Sequence, residues 1–181
     1  MTKIEQNVKS LIEPIITNLG YTIYDVIYEK EGQDNYLRIF IDKPEGTIDL
    51  NDCEKVNDAI NDILDEKDPI KSSYMLEVSS PGIEKRIRSD EHLKMFLNEK
   101  VEVHTFKNIS DEIKKKEAIG ILKTFDADSI TIELEPEDKK ASKKKKAKKQ
   151  EEQDSNEDKQ KEVTINKQNI SAMKTVYNWE D

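Results

Sequence analysis

The sequence is poor in several residue types on which common functional sites depend. Its 181 residues include one cysteine, Cys53, and five scattered glycines. A single cysteine excludes an intramolecular disulfide and any cysteine-based metal site. The sequence contains neither G-x-x-x-x-G-K-[ST] nor G-x-G-x-x-G, so the common nucleotide-binding loops are excluded as well. No apolar run approaches the roughly 18 residues of a membrane span, and the N-terminus lacks the apolar core of a signal peptide. We therefore expect a cytoplasmic protein with no membrane partner.

Positive charge is also in short supply. The chain has 30 Lys and Arg against 39 Asp and Glu, a formal net charge of −9. Residues 1–90 hold 11 of the basic and 19 of the acidic residues, a net of −8, so nearly all the excess lies in the first half. Global charge therefore disfavours nucleic-acid binding, which Lys and Arg drive by neutralising phosphates. An acidic surface suits a basic partner, such as a basic nucleic-acid-binding protein.

Hydrophobic periodicity predicts an α+β domain over residues 1–88. Thr2 and Glu5 form a capping box at the start of the first helix, and Pro14 is expected to kink or split it. The element order of helix, strand, strand, helix, strand places helices against one face of a sheet. The predicted elements are a helix at 2–19, strands at 21–29 and 36–42, a helix capped by Asp49, and a strand at 74–78.

Residues 89–181 have the pattern of a small β-barrel. A short helix at 89–97 precedes short strands at 101–106, 118–125 and 129–135 and one within 163–177, and Gly120 suits a barrel bend. The charged stretch at 136–162 has no apolar face and is predicted to be a disordered insertion. Its tract 139–149 holds eight lysines, which indicate either a solvated loop or an electrostatic tether for phosphates.

The stretch YMLEVSSPGIEKRIRS at 74–89 contains the candidate functional residues. Proline fixes φ and glycine permits a tight turn, so this segment is predicted to be a turn between the two domains. The three cations that follow are interpreted either as contacts to phosphate or as partners of acids in the same half. The turn residues are Ser79, Ser80, Pro81 and Gly82, and the cations are Lys85, Arg86 and Arg88.

A catalytic serine at this turn is disfavoured. Ser79 and Ser80 lack the first glycine of G-x-S-x-G, and no recognisable motif surrounds His92 or His104, the two histidines of the chain. Two histidines and one cysteine also make a poor zinc set. No catalytic, cofactor-binding or metal-ligating residue is therefore predicted, and a serine hydrolase stays open as a rival hypothesis.

The segment YMLEVSSPGIEK resembles the signature of the RimP family of bacterial ribosome maturation factors. The segments IEPIITNLGYTIYDVIY, YLRIFID, DLNDCEKVNDAINDILD, IGILKTFDADSITIEL and INKQNISAMKTVY are similar to family segments in the same order. The resemblance implies a somewhat KH-like N-terminal domain and a C-terminal SH3-like barrel. It further implies a cytoplasmic, non-enzymatic factor that binds the immature small (30S) ribosomal subunit.

The resemblance also implies partners: rRNA and a basic ribosomal protein near the decoding region, with no cofactor. The chain is expected to be monomeric. A general RNA-binding module without preference for ribosomal particles is the alternative that the residues leave open.

Overall fold

The computed structural model describes residues 1–110, 113–134 and 162–177. The chain divides into two compact units, Met1–Lys85 and Arg86–Asp181. The boundary predicted between residues 88 and 89 stays a prediction. The insertion predicted at 136–162 lies outside the described residues except for Glu162, and the lysine tract lies wholly outside them.

The first unit confirms the predicted order of helix, strand, strand, helix and strand. Strand β2 is central in its three-stranded sheet, antiparallel to β1 and parallel to β3. The elements are α1 (Lys3–Asn18), β1 (Thr22–Glu31), β2 (Asp34–Asp42), α2 (Leu50–Lys67) and β3 (Met75–Ser79).

Helix α1 begins at the predicted capping box. The Thr2 backbone N–H donates to Glu5 Oε2 over 2.6 Å, and the Glu5 N–H donates back to Thr2 Oγ1 over 3.3 Å. The buried Glu5 carboxylate also accepts from the Tyr28 N–H over 3.1 Å, which ties α1 to β1. The helix runs through Pro14 without a break, so a split at Pro14 is wrong, whereas a kink there stays a prediction. Tertiary packing of the apolar face offsets the backbone hydrogen bond that proline removes.

The core of the first unit lies between the two helices and one sheet face. Leu37, Ile39 and Ile41 alternate along β2 and are fully buried. They belong to a cluster with the buried stripes of α1 (Val8, Ile12, Ile16) and α2 (Val56, Ile60, Leu64). Because successive side chains of a strand point to opposite faces, residues such as Arg38 lie on the face away from the helices.

The second unit is built on a five-stranded antiparallel sheet in the order β7-β6-β5-β4-β8. The last predicted strand is in fact two strands, because a 3₁₀ turn at Lys167–Asn169 separates them and Asn166 caps it by accepting from the Gln168 N–H over 2.8 Å. The elements are α3 (Asp90–Met95), β4 (Lys100–Thr105), β5 (Glu117–Phe125), β6 (Ser129–Leu134), β7 (Glu162–Asn166) and β8 (Ile170–Thr175).

The described pairing leaves this sheet open. Strands β7 and β8 are its edges, and no ladder joins them within the described residues. The structure therefore shows an antiparallel sheet, while a closed SH3-like barrel stays a prediction. The sheet does bend, with register shifts between His104 and Thr105 and between Leu122 and Thr124.

Gly120 lets β5 and β6 approach closely. A Cβ at this position would lie 2.3 Å from the backbone oxygen of Glu133, so any other residue would force the strands apart. Beneath the sheet lies a separate apolar cluster that includes Val101, Leu122 and Ile130. Across the described parts of the chain, no helix is long and apolar enough to span a bilayer.

Candidate nucleic-acid interface

The serine turn lies at the end of β3. Ser79 is the last residue of that strand and pairs with Phe40 of β2. Gly82 has φ of +77°, a left-handed conformation that L side chains adopt at a cost. The turn belongs to the unit Met1–Lys85, with Ile83 and Glu84 between it and Lys85.

The side chain of Lys85 contacts residues of the three-stranded sheet of the first unit. Its Nζ lies 2.6 Å from Asp42 Oδ2 and 5.5 Å from the centroid of the Tyr24 ring. Its side chain is 27% exposed and that of Asp42 is 35% exposed. Burial raises the pKa of the Tyr24 hydroxyl above its ordinary value, so the ring meets the cation in its neutral form. Of the two interpretations of Lys85, the structure displays pairing with an acid of the same unit.

Arg86 and Arg88 lie together in the second unit, where they line an open cleft of about 410 Å³. We call this feature the arginine cleft. Its other lining residues come from the start of α3 and from the end of the sheet that includes β8. They are Ile87, Ser89, Asp90, Leu93, Ile130, Lys167, Ile170, Ser171, Ala172 and Met173.

Backbone pairing fixes the position of the two arginines. Arg86 forms an isolated antiparallel bridge with Lys174, and the Ile87 N–H donates to the Met173 carbonyl over 2.8 Å. Ile87 is buried, whereas Arg86 and Arg88 on either side of it are exposed. The extended segment thus points its apolar side chain into the core and both guanidinium groups outward.

The start of α3 holds the other end of this segment. The Arg88 N–H donates to His92 Nδ1 over 3.2 Å, and Ser89 caps the helix by accepting from the His92 N–H over 3.2 Å. His92 is 3% exposed, so its imidazole forms part of the framework behind the cleft.

Lys167 is the third cation of the arginine cleft, and the sequence analysis missed it. Its Nζ lies 2.6 Å from Asp90 Oδ1, 2.5 Å from the Asp126 carbonyl oxygen and 5.3 Å from the Phe125 ring centroid. Asp90 and Lys167 are 77 positions apart in sequence. No local pattern signals such a pair, because only the fold brings the 3₁₀ turn against α3.

The lining of the cleft is mixed in polarity. Ile87, Leu93, Ile130 and Met173 are buried in the core of the second unit, so the more accessible aliphatic lining residues are Ile170 and Ala172. The cleft therefore combines cationic side chains with a small accessible aliphatic surface. This arrangement suits a ligand that carries an anionic group on a less polar body.

A second charged surface lies on the exposed sheet face of the first unit. Arg38 forms ion pairs with Glu29, with Glu31 over 2.6 Å and with Glu77 over 2.7 Å, and it stacks 4.8 Å from the Tyr36 ring centroid. Hydrogen bonds from Arg38 to these carboxylates, first to Glu31, raise its pKa above the ordinary value. We call these residues the Arg38 cluster; with one guanidinium against three carboxylates, it is acidic.

The outer face of the second sheet carries a cluster of metal-ligating residue types that the sequence analysis did not find. Ligand atoms of Glu102, His104 and Glu117 lie within 4.8 Å of one another, because β4 places the first two on one face and pairs His104 with Glu117 of β5. Glu102 already accepts from His104 over 2.5 Å and lies 3.2 Å from Lys174 Nζ. Burial opposes ionisation of Glu102, but these two hydrogen bonds outweigh it and lower the pKa of the carboxyl. The predicted absence of a metal site stays a prediction.

Residues 11–84 match a protein-family model described as the RimP N-terminal domain. The match begins within α1 and includes the sheet of the first unit, α2 and the serine turn. It ends at Glu84, immediately before Lys85 and the arginine cleft of the second unit.

Proposed function

We propose, from the premise that the chain belongs to the RimP family of ribosome maturation factors, that it binds the immature small (30S) ribosomal subunit and assists its assembly in the cytoplasm. RimP is a non-catalytic family, so the proposed activity makes and breaks no covalent bond and uses no cofactor. The family match carries this proposal, and the two charged surfaces supply its physical basis.

The arginine cleft is the proposed contact to rRNA. Arg86 and Arg88 present exposed guanidinium groups from an extended segment that is paired to β8. Guanidinium groups bind phosphate in a planar, bidentate manner, and such contacts fix position without reading sequence. Lys85 was predicted to share this role; its pairing with Asp42 favours a structural role instead.

The first unit is the proposed contact to a basic ribosomal protein near the decoding region. Residues 1–85 contain 9 Lys and Arg against 18 Asp and Glu, a net charge of −9. Residues 86–181 contain 21 Lys and Arg and 21 Asp and Glu, a net charge of zero, so the acidic excess belongs to the first unit. Complementary charge steers association and selects partners, so the first unit is suited to a basic partner. Within the first unit, the Arg38 cluster is the acidic surface that we propose for this contact.

Family membership also supports finer statements about architecture. We infer that the first unit is somewhat KH-like and that the sheet of the second unit belongs to an SH3-like barrel. The close approach at Gly120 and the two register shifts support strong curvature of that sheet. The serine turn, Ser79 to Gly82, is proposed to set the spacing of the two domains.

Binding to one conformation of the assembling particle is sufficient for the proposed activity. A protein shifts an equilibrium between two conformations by the difference in its affinity for them. A tenfold preference for the productive conformation corresponds to about 1.4 kcal/mol, which one or two charge-assisted hydrogen bonds to phosphate can supply.

The test is sedimentation of the tagged protein with ribosomal particles at two salt concentrations. Co-migration with free small subunits, and not with joined ribosomes, is the expected result. Arg86→Gln/Arg88→Gln should weaken that association, while Lys94→Gln/Lys116→Gln removes equal charge from exposed positions outside the cleft and should leave it unchanged. Protein that stays at the top of the gradient at both salts contradicts the proposal. Equal binding to naked RNA and to particles would favour a general RNA-binding module.

A further inference from the structure

The arginine cleft has features that contact with a phosphate backbone alone does not require. A surface that only neutralises phosphates needs cations and no cavity. Here the cations surround a cavity of about 410 Å³, which lies within the range of about 300–1,000 Å³ typical of small-molecule sites. Its lining also includes two aliphatic side chains that are not fully buried, Ile170 and Ala172, which we call the aliphatic floor.

We propose that the arginine cleft holds one unpaired nucleotide of single-stranded RNA, with its phosphate at Arg86 and Arg88 and its base against the aliphatic floor. This inference rests on the proposed function for the identity of the RNA as rRNA. Single-stranded loops and ends are the usual targets of specific RNA recognition, because their unstacked bases can enter a protein site. A duplex keeps its bases stacked inside and has no group that would fill the apolar part.

The guanidinium groups have a second use in this arrangement. Arginine planes stack on bases as aromatic rings do, and the cleft has no aromatic side chain among its lining residues. Arg88 lies beside the start of α3, where its backbone N–H is held by His92. Its position is therefore fixed at the backbone, and its guanidinium can reach either the phosphate or the face of the base.

The Lys167–Asp90 pair controls the charge at the opening. The Lys167 side chain is 22% exposed, and its Nζ lies 2.6 Å from Asp90 Oδ1. An incoming phosphate competes with the Asp90 carboxylate for this ammonium and is repelled by the carboxylate. Removing the Asp90 charge should therefore strengthen nucleotide binding, which is the opposite of what loss of an arginine should do.

Fluorescence anisotropy of the full chain tests the proposal. The probes are a labelled single-stranded RNA of about eight nucleotides, a length typical for one binding module, and a hairpin duplex of the same composition. The single strand should bind at least about fivefold more tightly than the duplex. Arg88→Gln should weaken single-strand binding roughly tenfold, and Asp90→Asn should strengthen it about threefold. Lys94→Gln, which removes one charge from the exposed face of α3, should change it less than about twofold.

A steric variant tests the contribution of the cavity to RNA binding independently of the contribution of its charges. Ser171 is an exposed lining residue, and Ser171→Phe adds bulk to the cleft without changing any charge. Single-strand affinity should fall roughly tenfold while the dependence of log K on log salt keeps its slope, because the number of neutralised phosphates is unchanged. Thermal unfolding checks that each variant is folded. If Ser171→Phe does not fold, Asp90→Asn still tests the site, because it should raise the affinity for the single strand.

The outcomes distinguish this inference from the proposed function. Equal affinity for strand and duplex, with Ser171→Phe harmless, would overturn the nucleotide site and leave subunit binding intact. Displacement of the RNA by an equal concentration of a poly-glutamate peptide would overturn it in favour of an acidic protein partner. Cleft-dependent binding of the single strand without co-sedimentation with small subunits would uphold the site and contradict the maturation role.

Discussion

The pairing of Lys85 with Asp42 gives a prediction that decides between two roles of a candidate residue. In Lys85→Met the ammonium is lost and the aliphatic stem is kept; in Asp42→Asn the partner charge is lost. If Lys85 secures the chain after the serine turn, both variants should destabilise the first unit. If Lys85 binds phosphate, its loss should reduce RNA affinity instead.

The expected magnitude follows from the geometry. The two charged atoms lie 2.6 Å apart, and both side chains are about one third exposed, so the pair falls within the range of about 0.2–1 kcal/mol measured for partly exposed ion pairs. The ammonium also lies 5.5 Å from the Tyr24 ring centroid, which adds about 0.5 kcal/mol. Lys85→Met should therefore cost about 0.7–1.5 kcal/mol and Asp42→Asn about 0.2–1 kcal/mol.

The assay is a double-mutant cycle on the full chain. Urea unfolding followed by two-dimensional NMR reports on each unit separately; the Leu37 and Ile39 amides of β2 report on the first unit. The double variant should be less destabilised than the sum of the single variants by about 0.2–1 kcal/mol, the coupling energy of the pair. RNA affinity of Lys85→Met should stay within about twofold of wild type. Zero coupling together with an affinity loss as large as that of Arg88→Gln would refute the structural role and return Lys85 to the phosphate contacts.

Three further predictions concern the second unit and the lysine tract. Gly120→Ala should destabilise the second unit by about 1–3 kcal/mol in urea unfolding, because its Cβ meets the Glu133 backbone at 2.3 Å, whereas unchanged stability would show that β6 moves freely. Burial opposes ionisation of Glu102, but its partners His104 and Lys174 lower its pKa below the ordinary value of about 4.3. The ionised carboxylate therefore contributes to folding stability at neutral pH, and this contribution is lost as pH falls through the lowered pKa. Glu102→Gln should accordingly flatten the decline of Tm in melts from about pH 6 to pH 3, and an unaltered decline would mean that other carboxyls dominate. Deletion of 139–149 should reduce the salt dependence of RNA binding if the tract contacts phosphates, each contact contributing a slope of about −0.7 on a single strand, and an unchanged slope would make it a solvated loop.

The parts of the fold that the sequence predicted correctly are those set by neighbouring residues. The capping box at Thr2, the helix cap at Asp49 and the alternation along β2 depend on residues a few positions apart, and each appears as expected. The split that Pro14 allowed does not occur, because tertiary packing keeps α1 continuous through it.

The parts that the sequence did not predict depend on distant contacts. The stretch 163–177 reads as one apolar alternation, and only the cap at Asn166 reveals the 3₁₀ turn that splits it. Lys167 enters the arginine cleft, and Glu117 reaches His104, through pairings between separate elements. Lys85 lies in a basic run, yet its partner Asp42 is 43 positions away. Charge type is visible in a sequence, whereas the partner of a charge depends on the tertiary fold.

The pairing of the segment Arg86–Ile87 with β8 has a consequence for the order in which the protein can form during its own synthesis. Every strand of the first unit lies before Lys85, so that unit can fold as soon as its residues have left the ribosome. The second unit is different, because its opening segment and β4 both pair with β8, which is translated after all its other strands. The arginine cleft therefore does not exist in a nascent chain until Met173 has emerged. A newly made molecule can present its acidic unit early, but it acquires the cationic cleft only after β8 has been synthesised.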